Sequence, residues 1–257
     1  MEKFDILNVK ISATNMNEAC AAIENSIKRN DKGYVCVCPV STIMECQADR
    51  KVLDSVNAAF LATPDGMPVV WLGKMKGYKN ISRVYGPDLL LRMCKISEQK
   101  GYRNYFYGST PEVMEKLLSN LRKMFSGLVI SGAYSPPFRK STAEEGGENI
   151  EMLNAADSDI IWVGLGSPKQ DLWMNRHKGL LDSPVMIGVG AAFDFIAGTK
   201  KQAPTWMQRV GLEWFFRLIS EPRRLWKRYL VGNSLFLFLV FRDFLLGRSK
   251  AKKGINK

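Results

Sequence analysis

The sequence predicts an α/β protein: a Rossmann-like, mostly parallel sheet with helices on both faces, followed by a basic helical C-terminal appendage. Three observations lead there. Short apolar runs alternate with helical periods over residues 1–198, the pattern of strands covered on both sides by crossover helices. Several of those runs end in glycine-containing turns that open helices. The charge is also uneven: fourteen lysines and arginines face three acids from Lys200 onward, so that stretch holds +11 of the net +12.

In chain order, strands are expected at 6–11, 34–38, 59–62, 102–107, 128–131, 159–163 and 185–189. A helix over 15–28 starts on Asn15, a good N-cap, and helices over 87–98 and 111–125 begin with proline, whose missing N–H costs little in a first turn. The stretches 135–137 and 144–147, rich in Pro, Gly and Glu, read as surface loops. The five cysteines form no C-x-x-C pair, so they read as buried free thiols, with Cys36 and Cys38 on one strand face. One histidine, His177, with no Cys/His cluster leaves a zinc site nothing to be built from; it reads as a surface or packing residue.

Residues 199–257 have a different texture. Helical periods over 205–219 and 222–229 carry Trp206, Trp214, Phe215, Phe216 and Trp226 among arginines. The apolar run 235–241 is cut by Arg242 and Asp243. It is far short of the roughly 20 residues that span a bilayer but suits a membrane interface. The N-terminus lacks a signal-peptide pattern. The expectation is a catalytic domain over 1–198 and a basic, aromatic, membrane-associating appendage over 199–257, on the cytosolic side. No nucleic-acid-binding module hosts the charge.

Ligands of an open parallel sheet sit beyond the carboxyl ends of its strands. The turns there are Pro64-Asp-Gly-Met-Pro68, Gly108-Ser-Thr110, Gly164-Leu-Gly-Ser-Pro-Lys-Gln170 and Gly188-Val-Gly-Ala-Ala-Phe-Asp194. Glycines let backbone N–H groups approach phosphate, and helix starts favour negative charge; together the turns point to a nucleotide or other phosphorylated ligand. Asp65, between Pro64 and Gly66, is placed to act as a general base or simply as a turn aspartate. Arg83 suits phosphate or a carboxylate partner. Asp157-Ser-Asp159 imitates a metal-holding D-x-D but precedes a strand, at the wrong edge, and reads as a turn.

Thr63-Pro-Asp-Gly-Met-Pro-Val-Val-Trp71, Arg83-Val-Tyr-Gly-Pro-Asp88, the Gly164 and Gly188 turns, and Trp206-Met-Gln-Arg-Val-Gly-Leu-Glu-Trp214 together resemble the WecG/TagA/CpsF family of bacterial glycosyltransferases, in order along almost the whole chain. The resemblance implies an inverting transfer from a UDP-sugar, N-acetylmannosamine or a relative, to an undecaprenyl-diphosphate-linked sugar, feeding teichoic acid or other surface polysaccharide, with no bound metal and no cofactor. It implies Asp65 as base, Arg83 and Gln170 at the active site, and tail cations Arg217, Arg224 and Lys227 closing over it; Lys227 stands where arginine is common. Gly108, Ser109, Gly164, Gly166, Lys169 and Asp194 complete the expected substrate-binding set. Many members carry Thr-Pro-Asn after the second strand, whereas this chain has Val37-Cys-Pro-Val-Ser-Thr42, which displaces the polar pair to Ser41 and Thr42. The rival readings are a nicotinamide-dependent oxidoreductase, for which the Gly188 turn lacks the third glycine, and a non-enzymatic membrane scaffold. Oligomeric state, including a homo-oligomer, stays open.

Overall fold

The computed structural model describes residues 1–137 and 143–246. The chain opens with an antiparallel hairpin, β1 (Lys3–Ile6) and β2 (Val9–Ser12). The single strand expected over 6–11 is therefore wrong. Leu7 and Asn8 both take positive φ, 50° and 66°, the two-residue turn that suits strand twist. Phe4, Ile6, Val9 and Ile11 are all buried, so apolar alternation runs through the reversal and hides it.

The remaining strands are β3 (Gly33–Cys38), β4 (Leu61–Pro64), β5 (Asn104–Gly108), β6 (Ile130–Tyr134), β7 (Ile160–Gly164) and β8 (Val185–Gly188). They form one parallel six-stranded sheet in the order β4-β3-β8-β7-β5-β6. Successive residues of β3 enter opposite cores: Tyr34, Cys36 and Cys38 one, Val35 and Val37 the other. Burial on both faces is what a parallel sheet requires. All five cysteines are buried and free.

One face carries α2 (Val40–Ala48), α3 (Arg50–Ala58), α4 (Met67–Met75), α7 (Ala143–Ala155) and α8 (Lys169–His177); the other carries α1 (Met16–Arg29), α5 (Gly86–Lys100), α6 (Pro111–Met124) and α9 (Ala192–Ile196). Asn15 caps α1 as expected, its side chain accepting the Glu18 N–H at 3.1 Å. The loop expected over 144–147 is instead the start of α7, a helix that its two glycines disguise in the sequence. From β5 the chain runs outward to β6, and from β7 the opposite way to β8. The crevice between β5 and β7 is therefore a topological switch point.

The tail holds α10 (Thr205–Arg209), α11 (Glu213–Ser220), α12 (Pro222–Trp226), a π turn (Lys227–Val231) and α13 (Gly232–Leu245). The helix expected over 205–219 is broken by Gly211 at φ 78°. From Pro222 to Leu245 the backbone stays helical through the π turn. Leu225, Tyr229 and Phe236 are buried, Phe236 in the same core as α2, while Leu237, Phe238, Phe241, Phe244 and Leu245 are exposed. Among the described residues, no helix is long and apolar enough to cross a membrane. Five tail cations, Arg248, Lys250, Lys252, Lys253 and Lys257, lie outside the described residues.

Candidate active site

The turns that follow β3, β4, β5, β7 and β8 surround a cleft of about 1400 Å³, and the tail helices form its opposite wall. Parallel strands all deliver their carboxyl ends to one side of the sheet, which is why turns distant in sequence meet there.

Asp65 follows β4 directly. Its backbone N–H donates to the Cys38 carbonyl at 3.3 Å, and Gly66 takes φ 89°, a conformation glycine adopts without a Cβ clash. The carboxylate accepts from Arg83 Nε at 3.0 Å. Arg83 Nη2 pairs with Glu213 of α11, and Nη1 donates to Gln208 Oε1 at 3.3 Å. The guanidinium lies 4.0 Å over the Tyr85 ring, and the Tyr85 hydroxyl donates to Glu213 Oε1 at 3.1 Å. Asp65, Arg83 and Glu213 side chains are only 13–15% exposed. Burial pushes the Asp65 carboxyl up to about 6; Arg83 opposes that shift and Glu213 adds to it. A carboxylate titrating near neutral pH on a cleft wall suits proton acceptance. Arg83 takes the carboxylate reading of its two sequence alternatives, twice over.

The glycine turns do less for phosphate than expected. A Cβ on Gly108 would lie 2.7 Å from the Gly164 carbonyl carbon, and one on Gly164 would lie 2.4 Å from the Phe193 ring. These glycines serve close strand and helix packing, and Gly108 does not line the cleft. The Ser109 N–H donates to the Gly164 carbonyl at 3.2 Å. The Gly166 N–H donates to Gln170 Oε1 at 3.1 Å, so buried Gln170 shapes the turn. Both amides are spent within the protein, which shifts anion binding toward side chains. Ser109, Gly164, Gly166, Lys169, Gln170, Asp194, Arg217 and Arg224 all border the cleft.

Asp194 pairs with Lys200 at 3.2 Å, and Arg224 Nε with Glu221 Oε2 at 2.6 Å. Arg217 stands 5.6 Å over the Phe195 ring. Lys227 is not at the cleft: its ammonium rests 5.5 Å over Trp226, and its neighbour Arg228 lines the cavity instead. The D-x-D sequence is indeed structural, since Arg103 binds both Asp157 and Asp159. Among the described residues no group of three or more His, Cys, Asp or Glu is placed to hold a metal.

The pattern of the Glycosyl transferase WecG/TagA/CpsF family matches residues 4–250. This chain belongs to the WecG/TagA/CpsF family. Two similar proteins are each named N-acetylglucosaminyldiphosphoundecaprenol N-acetyl-beta-D-mannosaminyltransferase. That of Bacillus subtilis is 31% identical over 182 residues, 71% of this chain and 69% of the relative. That of Bacillus spizizenii is 32% identical over 175 residues, 68% and 66% of the two chains. The alignments thus span about two thirds of each relative's length. As a member of this family the protein is a glycosyltransferase, and the oxidoreductase and scaffold readings fall.

Within this WecG/TagA/CpsF transferase, sequence reasoning missed several cleft groups. Glu213 and Gln208 lay inside the quoted Trp206–Trp214 block and Tyr85 beside Arg83, but only folding shows that they converge. Asp171, which does not itself line the cleft, was missed as well. Fully buried, it accepts from Ser167 Oγ at 2.5 Å; burial pushes its carboxyl up despite that bond. Thr42 Oγ1 reaches Ser167 Oγ at 3.2 Å. That chain of hydroxyls ties the turn after β3 to the turn after β7. His177 packs as expected, stacked 4.1 Å from Trp173, although it also reaches the cleft wall.

Proposed function

We propose that this enzyme transfers a sugar from a UDP-sugar, N-acetylmannosamine or a related hexose, to an undecaprenyl-diphosphate-linked sugar, inverting the anomeric centre. The observation that carries this reading is Asp65, a buried carboxylate titrating near 6 on the wall of the cleft. The names of the Bacillus relatives support the donor sugar and the lipid-linked acceptor. Asp65 accepts the proton of the acceptor hydroxyl as its oxygen bonds the anomeric carbon. The bond from that carbon to the donor diphosphate breaks, and UDP carries away the electron pair. Arg83 orients Asp65, while Lys169, Arg217 and Arg224 balance the departing charge. Gln170 holds the turn that shapes the nucleotide side, where Asp194 faces the ligand. Lys227, outside the cleft, contributes to membrane charge.

Residues 199–257 act as an appendage that rests on the cytoplasmic face of a bacterial plasma membrane without crossing it. The exposed apolar face of α13 and the tail cations support this; basic residues near anionic lipid gain about 1 kcal/mol each. The products enter teichoic acid or other surface polysaccharide. The deciding experiment offers a panel of UDP-sugars with a prenyl-diphosphate-linked N-acetylglucosamine and reads the product by mass. A product one hexosamine heavier supports the reading. UDP-sugar hydrolysis alone, or no reaction across the panel, sinks it.

A further inference from the structure

Among the described residues Arg228 is a cation without an anion. Its Nη2 donates to Ser41 Oγ at 2.6 Å, and its Nε is buried with no hydrogen-bond partner. Among the described residues it makes no carboxylate ion pair, in contrast to Arg83, Lys200 and Arg224 in the same cleft. A half-buried guanidinium whose Nε is buried without a partner is expensive to leave uncompensated. Burial depresses its proton affinity; Tyr229 opposes that shift, and Arg217 and, more weakly, Arg224 add to it. The surroundings also favour negative charge. Ser41 stands in the first turn of α2, whose N-cap position is Pro39 and offers no side-chain cap, so the helix start presents its positive end there.

What lies beside this cation distinguishes it from the donor side. Asn233, Phe236 and Leu237 of α13 border the same cleft. Beyond them the helix exposes Phe238, Phe241, Phe244 and Leu245. An apolar lane therefore runs from the Arg228 corner to the outer surface. A nucleotide has no use for such a lane, whereas a prenyl chain does. The groups suited to the nucleotide, Gln170 and Asp194, belong to the turns after β7 and β8.

We infer that Arg228 and Ser41 form the seat for the diphosphate of the lipid-linked acceptor, with its prenyl chain leaving along α13. This deepens the function proposed above and rests on it for the acceptor's identity. It also gives a purpose to the sequence departure at 37–42: the hydroxyl displaced to Ser41 meets an arginine carried by the π turn, where Lys227 points elsewhere.

Farnesyl diphosphate, titrated calorimetrically into the full-length enzyme in saturating UDP, tests the seat without relying on turnover. Arg228→Gln should weaken its binding by about tenfold or more, the loss of one charge-assisted contact, and Arg228→Lys should recover part of it. Ser41→Glu, which places a carboxylate opposite the guanidinium, should weaken it equally while keeping Arg228 paired and the fold intact by thermal melting. UDP affinity and binding to phosphatidylglycerol vesicles should stay within about twofold in all three variants. Unchanged farnesyl diphosphate binding in Arg228→Gln and Ser41→Glu overturns the seat. A loss of UDP affinity instead assigns Arg228 to the donor diphosphate, and a loss of vesicle binding assigns it to lipid headgroups; either outcome also overturns it. Should the wild-type enzyme bind farnesyl diphosphate through Arg228 yet transfer no sugar, the seat stands and the transfer reading fails.

Discussion

Replacing Glu213 by Gln isolates the contribution of the tail to the titration of Asp65. Glu213 and Asp65 bind adjacent donors of one guanidinium, so their charge centres lie on the order of 5 Å apart. At an effective dielectric of 20 their repulsion is about 3 kcal/mol, equivalent to roughly two pH units in the titration of Asp65. The sign follows from the charge. Glu213 disfavours ionised Asp65, so removing its charge favours the carboxylate and lowers the pH at which the base forms. The wild-type kcat/KM should fall below about pH 6, where Asp65 gains its proton; in Glu213→Gln that acid limb should move down by up to roughly two pH units. The amide oxygen of Gln keeps an acceptor for the Tyr85 hydroxyl, so the perturbation is mainly one of charge. The assay is a pH–rate profile from pH 4.5 to 8 with Glu213→Ala as a second variant. An acid limb that stays in place, or moves upward, refutes the claim that the tail carboxylate adds to the basicity of Asp65.

Asp65→Asn should cost on the order of 10²-fold or more in turnover with UDP binding retained by calorimetry; near-normal turnover removes Asp65 from the base role. The same variant should melt higher than wild type at pH 7. The Asp65 carboxyl titrates at about 6 in the fold, above the value near 4 of an unfolded chain. Its contribution to stability is therefore complete at low pH and lost as pH rises from about 4 through about 6, by up to roughly 3 kcal/mol, and the gap in melting temperature should close at pH 4. Gly108→Ala should destabilise the enzyme by about 1–3 kcal/mol in urea unfolding, because the new Cβ would lie 2.7 Å from Gly164 backbone at φ 121°; an unaltered midpoint contradicts the packing account. Binding to anionic vesicles should weaken markedly between 0.1 and 1 M salt, as the Debye length drops from about 10 to 3 Å. Salt-independent binding would assign the attachment to the apolar face of α13 alone.

The parallel sheet was legible because its strands other than the edge strand β6 are apolar runs buried on both faces, and a run of this kind needs no partner to be recognised. Strand ends were less so: β4 lies at Leu61–Pro64, two residues beyond its expected start, since Ala59 is as apolar as its neighbours but finishes a helix turn. The β1–β2 reversal was lost because the buried pattern continues across it. The short helices α2, α3 and α4 escaped notice because each is nine residues long, a length too short for periodicity to stand above noise.

Of the site, the sequence by itself determined which turns meet at the cleft. A parallel sheet sends every strand end to one side, and the residues after those ends are readable in order. It also singled out Asp65, between proline and glycine at a strand end, which the fold places on the cleft wall beside Arg83. Tertiary structure alone decided the partners. Arg83 bonds Asp65 across 18 positions and Gln208 across 125, and Ser41 meets Arg228 across 187. Such pairings carry no local signal, because side-chain bonding depends on distance in space and not along the chain. For the same reason only the fold distinguishes Lys227, resting on Trp226, from Arg228, one residue later and facing the cleft.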